Sequence, residues 1–334
     1  MEFITKNTNI NQPGKSNQDR GFSLSLDKGT EIRCVLDGHG FNQGQKFSST
    51  TRNYLMSEIK KNQGEFDKDD LEPFLTILIS KCELHLKEQL GHLTVGGSTF
   101  SIVIVRPERD IVTANLGDSS VCLYQSDTWK LLTREHGPTS KDEFIRIHSE
   151  FPQVRFIYEK LRYDGLPEHP VFELTGNFNE NSKPNSRNSF LKNREGEYAT
   201  YLKCNFPDGD NSLAMSRCLG DFKWKEVGVS SKPSICKYEY PKESFKLIIA
   251  TDGFWDCWTQ EELVKFLSTE DISTLDKAHS KNAKKYFGSS VDDTFAYTYG
   301  IDIVSDSEKH ELASDSEKHD LPSDSEPYVK VNFI

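Results

Sequence analysis

Val35-Leu36-Asp37-Gly38-His39-Gly40 closes a short apolar run on an aspartate followed by two glycines, and aspartates at the ends of β-prone runs recur along the chain. Ile248-Ile249-Ala250-Thr251-Asp252-Gly253 ends a second β-prone run, and Val291-Asp292-Asp293-Thr294 supplies a third. Ile32 to Leu36 reads as a strand that runs directly into Asp37. The glycines permit a tight turn and let the backbone approach an ion closely, so the Gly38 carbonyl can act as a ligand beside the carboxylate. Asp118 sits between two β-like runs in Ala114-Asn115-Leu116-Gly117-Asp118-Ser119, and Asp256 follows Asp252 by one helical turn. Any one Asp-Gly taken alone reads first as a turn former. Taken together they read as carboxylates gathered at strand ends. Hard divalent cations such as Mg²⁺ and Mn²⁺ prefer such oxygens, and crowded carboxylates need a cation to offset their repulsion.

Further signatures lie between these. In order, the chain carries Asn17-Gln18-Asp19, Asp37-Gly38-His39-Gly40, Gly97-Ser98-Thr99, Gly117-Asp118-Ser119, Leu132-Thr133-Arg134-Glu135-His136, Ser216-Arg217-Cys218-Leu219-Gly220-Asp221, Ala250 to Asp256, and Asp292-Asp293. In order and spacing this series resembles the metal-dependent Ser/Thr protein phosphatases of type 2C, over roughly residues 1 to 304. The resemblance implies an α+β fold, an αββα sandwich of two antiparallel sheets flanked by helices. It also implies site roles, residue by residue. Asp37 matches the carboxylate bridging two metal ions and Gly38 the carbonyl ligand of one of them, with Asp252 and Asp292 as terminal ligands of the other. Asp19 matches the acidic residue that contacts metal-bound water. Asp118, Asp252 and Asp256 match a weaker third metal site, and His39 matches the general acid.

The residue types suit phosphate monoester hydrolysis on their own terms. Two cations about 4 Å apart lower the pKa of a bridging water and neutralise charge on the phosphoryl oxygens. A departing serine or threonine alkoxide needs a proton, which a histidine beside the metals can supply. No Cys-x5-Arg loop and no Gly-x-Ser-x-Gly elbow is present, so attack by activated water is preferred to a covalent nucleophile. One departure from the family pattern concerns phosphate binding. Where many members carry an arginine ahead of the first acidic residue, this chain has Gln12 to Ser16, and Lys15 is the substitute. Lysine lacks the bidentate fork of arginine, so weaker phosphate binding is expected. Asp293 stands where asparagine is common, and Ser120 where arginine often ends its motif.

Composition is consistent with a soluble enzyme. The 334 residues can bury a sizeable core in one large domain. The longest apolar runs, such as Ser101 to Val105, fall far short of the roughly 18 residues a membrane span needs, and the polar first residues form no secretory signal. Seven dispersed cysteines read as core thiols in a reducing compartment, cytoplasmic or nuclear. The net charge of −11 argues against a nucleic-acid partner and a membrane surface. Lys223 and Lys225 read either as solvated surface lysines or as a patch for an acidic phosphopeptide. Phosphorylated proteins are the expected partners of a monomeric enzyme.

Thr99 to Val105, Ile111 to Leu116, Val121 to Tyr124 and Trp129 to Thr133 read as an antiparallel meander. Leu71, Leu75, Leu78, Cys82 and Leu86 recur at helical spacing, and Gly44 to Lys61 is a weaker helical stretch. Residues 150 to 210 depart most from this pattern. Thr175 to Ser186 is rich in asparagine and serine and reads as a mobile loop at the position of the family's flap, either selecting protein substrates or forming a plain surface insertion. From residue 305 to 334 the chain is an acidic tail with a nine-residue repeat beginning at Ser305, Ser314 and Ser323. It reads as a solvating tail, or as a substrate for an acidophilic kinase. The sequence reading is therefore a Mg²⁺- or Mn²⁺-dependent protein serine/threonine phosphatase with two ions and room for a third. The alternatives are a pseudophosphatase scaffold and a hydrolase of small phosphate esters.

Overall fold

A computed structural model describes residues 2–4, 17–40, 43–92, 94–160, 169–174, 182–184, 198–288 and 292–301. Lys15, most of the predicted flap loop and the acidic tail lie outside the described residues.

Two five-stranded antiparallel sheets form the centre. One runs Ser234–Glu239, Asp110–Leu116, Phe100–Arg106, Glu31–Leu36, Arg20–Ser25 in hydrogen-bonded order. The other runs Glu2–Ile4, Phe295–Ile301, Phe245–Ala250, Ser120–Gln125, Thr128–Leu131. Successive side chains of a strand point to opposite faces, and here both faces are covered, which is why Phe100–Arg106 is buried throughout. Val35, Val103, Val105 and Ile111 meet Val121, Leu247, Ile249 and Phe295 between the sheets. On the outer face of the first sheet, Ile32, Cys34, Ile102 and Ile104 pack against the helices Gly44–Lys61 and Glu72–Leu90. The apolar stripe of the second helix is buried at Leu75, Leu78, Cys82 and Leu86, as its spacing predicts. On the outer face of the second sheet, Ile248, Ala250 and Ala296 pack against Leu263, Phe266 and Leu267 of the helix Gln260–Thr269. That helix is started by a capping box between Thr259 and Glu262. The αββα sandwich is the observed fold.

One expectation is corrected. The predicted meander is split, because Asp110–Leu116 pairs with Phe100–Arg106 in the first sheet whereas Ser120–Gln125 pairs with Phe245–Ala250 in the second. The chain changes sheet at Gly117, whose φ of 90° is open to glycine and strained for other residues. Local β propensity cannot distinguish a hairpin from such a crossing. The described residues between 150 and 210 stand apart from the two central sheets, and most of the predicted loop lies outside the described residues. Arg155–Lys160, Tyr198–Phe206 and Gly209–Leu213 form an antiparallel sheet, completed by His169–Pro170. Phe144, Phe156, Phe172, Leu202 and Trp224 give this region its own apolar core.

Candidate active site

Strand register brings the aspartates together. Arg20 pairs with Leu36, so Asp19 and Asp37, one residue beyond each, emerge side by side at one end of the first sheet. Ala250 pairs with Ala296 and with Ser120, which places Asp252, the Asp292-Asp293 pair and Asp118 at the corresponding end of the second. The outcome is convergent: carboxylate oxygens of Asp37, Asp118 and Asp252 all lie within 4.8 Å of one another.

Short polar contacts hold this arrangement. The Thr251 hydroxyl donates to Asp19 Oδ2 at 2.8 Å and accepts from the Phe295 N–H at 2.9 Å, tying Asp19 to the second sheet. Asp37 donates its N–H to Thr99 Oγ1 at 3.0 Å and accepts from the Thr99 N–H at 2.8 Å. Thr99 in turn bonds Ser119 at 2.7 Å, fixing the turn that carries Asp118. Gln18 donates its N–H to Asp293 Oδ2 at 2.8 Å. A Cβ at Gly38 would collide with the Gly44 carbonyl, so glycine is required where the first strand turns out of the sheet. The Asp256 N–H donates to the Asp252 carbonyl at 2.8 Å, one turn of helix that lines Asp256 up on the same side as Asp252.

Burial raises the pKa of Asp37 well above the ordinary carboxylate value, and Asp19, Asp252, Asp292 and Asp118 raise it further. Burial likewise raises Asp19, with Asp292, Asp293 and Asp252 adding to it and the Thr251 hydrogen bond opposing. Carboxylates that repel one another in a partly dry site fit hard divalent cations, whose charge reverses that penalty. Asp37, Asp118 and Asp252 are the residues best placed to hold such an ion. Asp19 and Asp292 interact with them through charge, and Asp292 is the most exposed of the set.

His39 lies at the edge of this cluster in a small three-stranded sheet made of Gly38–His39, Gly97–Ser98 and Leu219–Gly220. His39 and Gly220 flank Gly97 from opposite sides. His39 Nε2 meets Asp221 Oδ2 at 2.5 Å. Burial alone would lower the His39 pKa, but the charge and hydrogen bond of Asp221 outweigh it and the net shift is upward. Asp221 moves the other way. Burial would raise it, whereas His39 and then Lys225 hold it below the usual range. In the sequence Asp221 stands only at the end of the Ser216–Asp221 motif, with no assigned role. Nothing local in the sequence pairs it with a histidine 182 positions away.

The two lysines considered for phosphopeptide binding are both engaged. Lys223 pairs with Asp208 and lies over the Phe206 ring at 4.1 Å, while Lys225 donates to the Cys218 carbonyl at 2.5 Å and faces Glu83 at 3.7 Å. Arg217 is also structural: its Nε and terminal nitrogen donate to Glu143 Oε1 at 3.0 and 2.5 Å. Burial would raise Glu143, but Arg217 and Arg146 hold it down at about 2.

With this geometry in place, comparison with known proteins identifies the family. The profile of the family described as protein phosphatase 2C matches residues 7–286. This chain belongs to the protein phosphatase 2C family. Its phosphatase 2C relatives include "Probable protein phosphatase 2C 72" of Arabidopsis thaliana, 28% identical over 253 residues that cover 71% of this chain and 64% of the relative. Another is "Protein phosphatase 1K, mitochondrial" of Xenopus laevis, 23% identical over 242 residues, covering 72% of this chain and 52% of that one. The chain thus spans less than two thirds of the length of these curated relatives. Among solved structures, the serine-threonine phosphatase 2C from Toxoplasma gondii matches with a TM-score of 0.58 at 16% identity, covering 89% of this chain and 92% of that one. A sex-determining protein of C. elegans matches with a TM-score of 0.56 at 16% identity, covering 89% and 62%. These likenesses establish the shared phosphatase 2C fold. Among the described residues, no helix is long and apolar enough to cross a membrane.

Proposed function

We propose that this chain is a metal-dependent protein serine/threonine phosphatase, acting on phosphoserine and phosphothreonine. The observation that carries the reading is the convergence of Asp37, Asp118 and Asp252 within 4.8 Å at the mouth of the sandwich, with Asp19 and Asp292 close enough to shift Asp37. Asp37 would be the shared ligand in this reading, Asp252 and Asp292 would complete one site, Gly38 and the Asp19 environment the other, and Asp118, Asp252 and Asp256 would hold a third ion. Mg²⁺ or Mn²⁺ bound there supplies water activation and charge neutralisation at the phosphoryl group. The protein's own part is positioning. Thr251 and Thr99 fix the carboxylates, and His39 is held by Asp221 where a leaving alkoxide needs a proton. Lys15 is the candidate cation for the substrate phosphate. A scaffold without catalysis has no physical need for buried carboxylates forced together in this way, and that favours the enzyme. The chain acts as a monomer on phosphorylated proteins in the cytoplasm or nucleus.

The test is hydrolysis of a phosphothreonine peptide with Mn²⁺, with Mg²⁺ and with chelator, for the intact chain and for Asp37→Asn. Metal-dependent turnover abolished by the substitution bears the proposal out. A folded chain with no turnover in either metal defeats it, and faster turnover of sugar phosphates or nucleotides than of phosphopeptides transfers the chain to small-ester hydrolysis.

A further inference from the structure

Beside the converged carboxylates lies a cavity of about 160 Å³. A void of that size accepts one benzene-sized ring or one long side chain. Asp118 and Asp252 form part of its wall, so whatever fills it lies next to the carboxylate cluster. Trp129, Trp255 and Trp258 line it too, three of the four tryptophans in the chain. Trp129 comes from the edge strand Thr128–Leu131, the other two from the turn that follows Asp252. The rings of Trp129 and Trp255 lie 6.3 Å apart, tilted by 51°. Trp255 donates its indole N–H to the Ala250 carbonyl at 2.9 Å, which fixes that ring to the sheet.

The charge lining this cavity is of one sign. Asp118, Asp252, Asp256 and Glu135 contribute carboxylates, and among the described residues no lysine, arginine or histidine lines it. Asp118, Asp252 and Asp256 face the proposed metal sites, so Glu135, beside the indole wall, is the carboxylate that meets a ligand on the solvent side. A cation on an apolar stem suits this carboxylate and the indole wall: its guanidinium stacks on an indole face and pairs with a carboxylate, while its methylenes cover the remaining aromatic surface. Glu135, exposed on the wall, is the carboxylate that the metal assignment does not use.

The geometry points to a specificity subsite, walled by Trp129, Trp255 and Glu135, that takes the arginine side chain of a phosphorylated peptide beside the phosphoresidue. It rests on the phosphopeptide reading of the site and adds to it which neighbouring side chain is preferred.

The experiment is a scan of phosphothreonine peptides on an alanine background, with arginine, leucine or glutamate placed in turn at each position within three residues of the phosphothreonine. Selectivity is read as the ratio of kcat/KM for each peptide to that of the all-alanine peptide, for the intact chain and for Trp129→Ala and Glu135→Gln. At one position arginine raises kcat/KM roughly tenfold, glutamate lowers it, and both variants bring the arginine ratio close to one. The subsite is overturned if no position favours arginine, if leucine serves equally well, or if the variants lower every peptide alike and leave the ratio unchanged, as a structural role would. If the intact chain hydrolyses no phosphopeptide, the proposed function fails. The same ratio, taken from dissociation constants of fluorescein-labelled peptides, then still judges the subsite.

Discussion

His39 Nε2 and Asp221 Oδ2 meet at 2.5 Å across the backbone of Gly97, which lies between their two strands. Asp221 is held in left-handed backbone geometry, with φ of 46°, by donating its N–H to the Gly96 carbonyl at 2.8 Å. The carboxylate orients the imidazole and favours its protonated form, the state that can donate a proton to a leaving group.

Replacing Asp221 with asparagine keeps the shape and removes the charge. Turnover of a phosphothreonine peptide should fall by about 10²-fold, in the range of general-acid contributions. The loss on p-nitrophenyl phosphate should be far smaller, because its phenolate departs without a proton. Parallel kcat measurements on the two substrates decide. Equal losses on both would show that Asp221 does not work through His39.

Gly97 is the spacer beneath that pair. A Cβ there would strike the Leu219 carbonyl and the Asp221 carboxylate and come within 2.9 Å of His39 Nε2. Gly97→Ala should therefore separate His39 from Asp221 and reproduce the leaving-group dependence of Asp221→Asn, at a stability cost of about 1–3 kcal/mol from overpacking. Urea denaturation alongside the two-substrate assay checks both parts.

Mutual repulsion makes the carboxylate cluster a source of instability until a cation binds. Asp37→Asn should abolish metal-dependent turnover and, in chelator, raise the melting temperature by a few degrees, since one carboxylate is removed from a set that repels it, Asp19, Asp252, Asp292 and Asp118. Mn²⁺ should stabilise the intact chain and do little for the variant. Thermal melts with and without metal read this independently of activity.

Acid stability depends on residues far from catalysis. Burial pushes His279 down to about 4 and His136 down to about 3, the latter helped by Arg217. Both are held neutral when folded, so the unfolded chain binds more protons between the ordinary histidine value near 6.5 and these lowered values. Stability is then fully present above about pH 6.5 and is lost as the pH falls toward 4. Glu143, held at about 2, contributes stability that is complete above its ordinary value of 4.5 and disappears only as the pH falls through 2. His279 stacks on Phe254 with centroids 5.1 Å apart, so His279→Phe keeps the packing and should flatten the decline between pH 6.5 and 4. Urea midpoints at pH 8 and pH 5 for both proteins give the comparison.

The sequence by itself determined the main helices, many of the strands and the carboxylate residue types that suit a metal site. Leu71, Leu75, Leu78, Cys82 and Leu86 carry a helical period in plain view, and these five positions are buried. Asp37 and Asp252 announce themselves because each follows an apolar run and precedes a glycine. These are local properties, set by side-chain period and backbone freedom within a few residues. Only the tertiary structure decided what required distant segments to meet. The crossing at Gly117 turned a predicted meander into strands of two sheets, since pairing is chosen by which faces can be buried together. The placement of Trp129 beside Trp255, and of Asp221 against His39, follows from strand register and from the thin glycine strand between them. No local signal encodes such pairs. Their geometry exists only once the sandwich has packed.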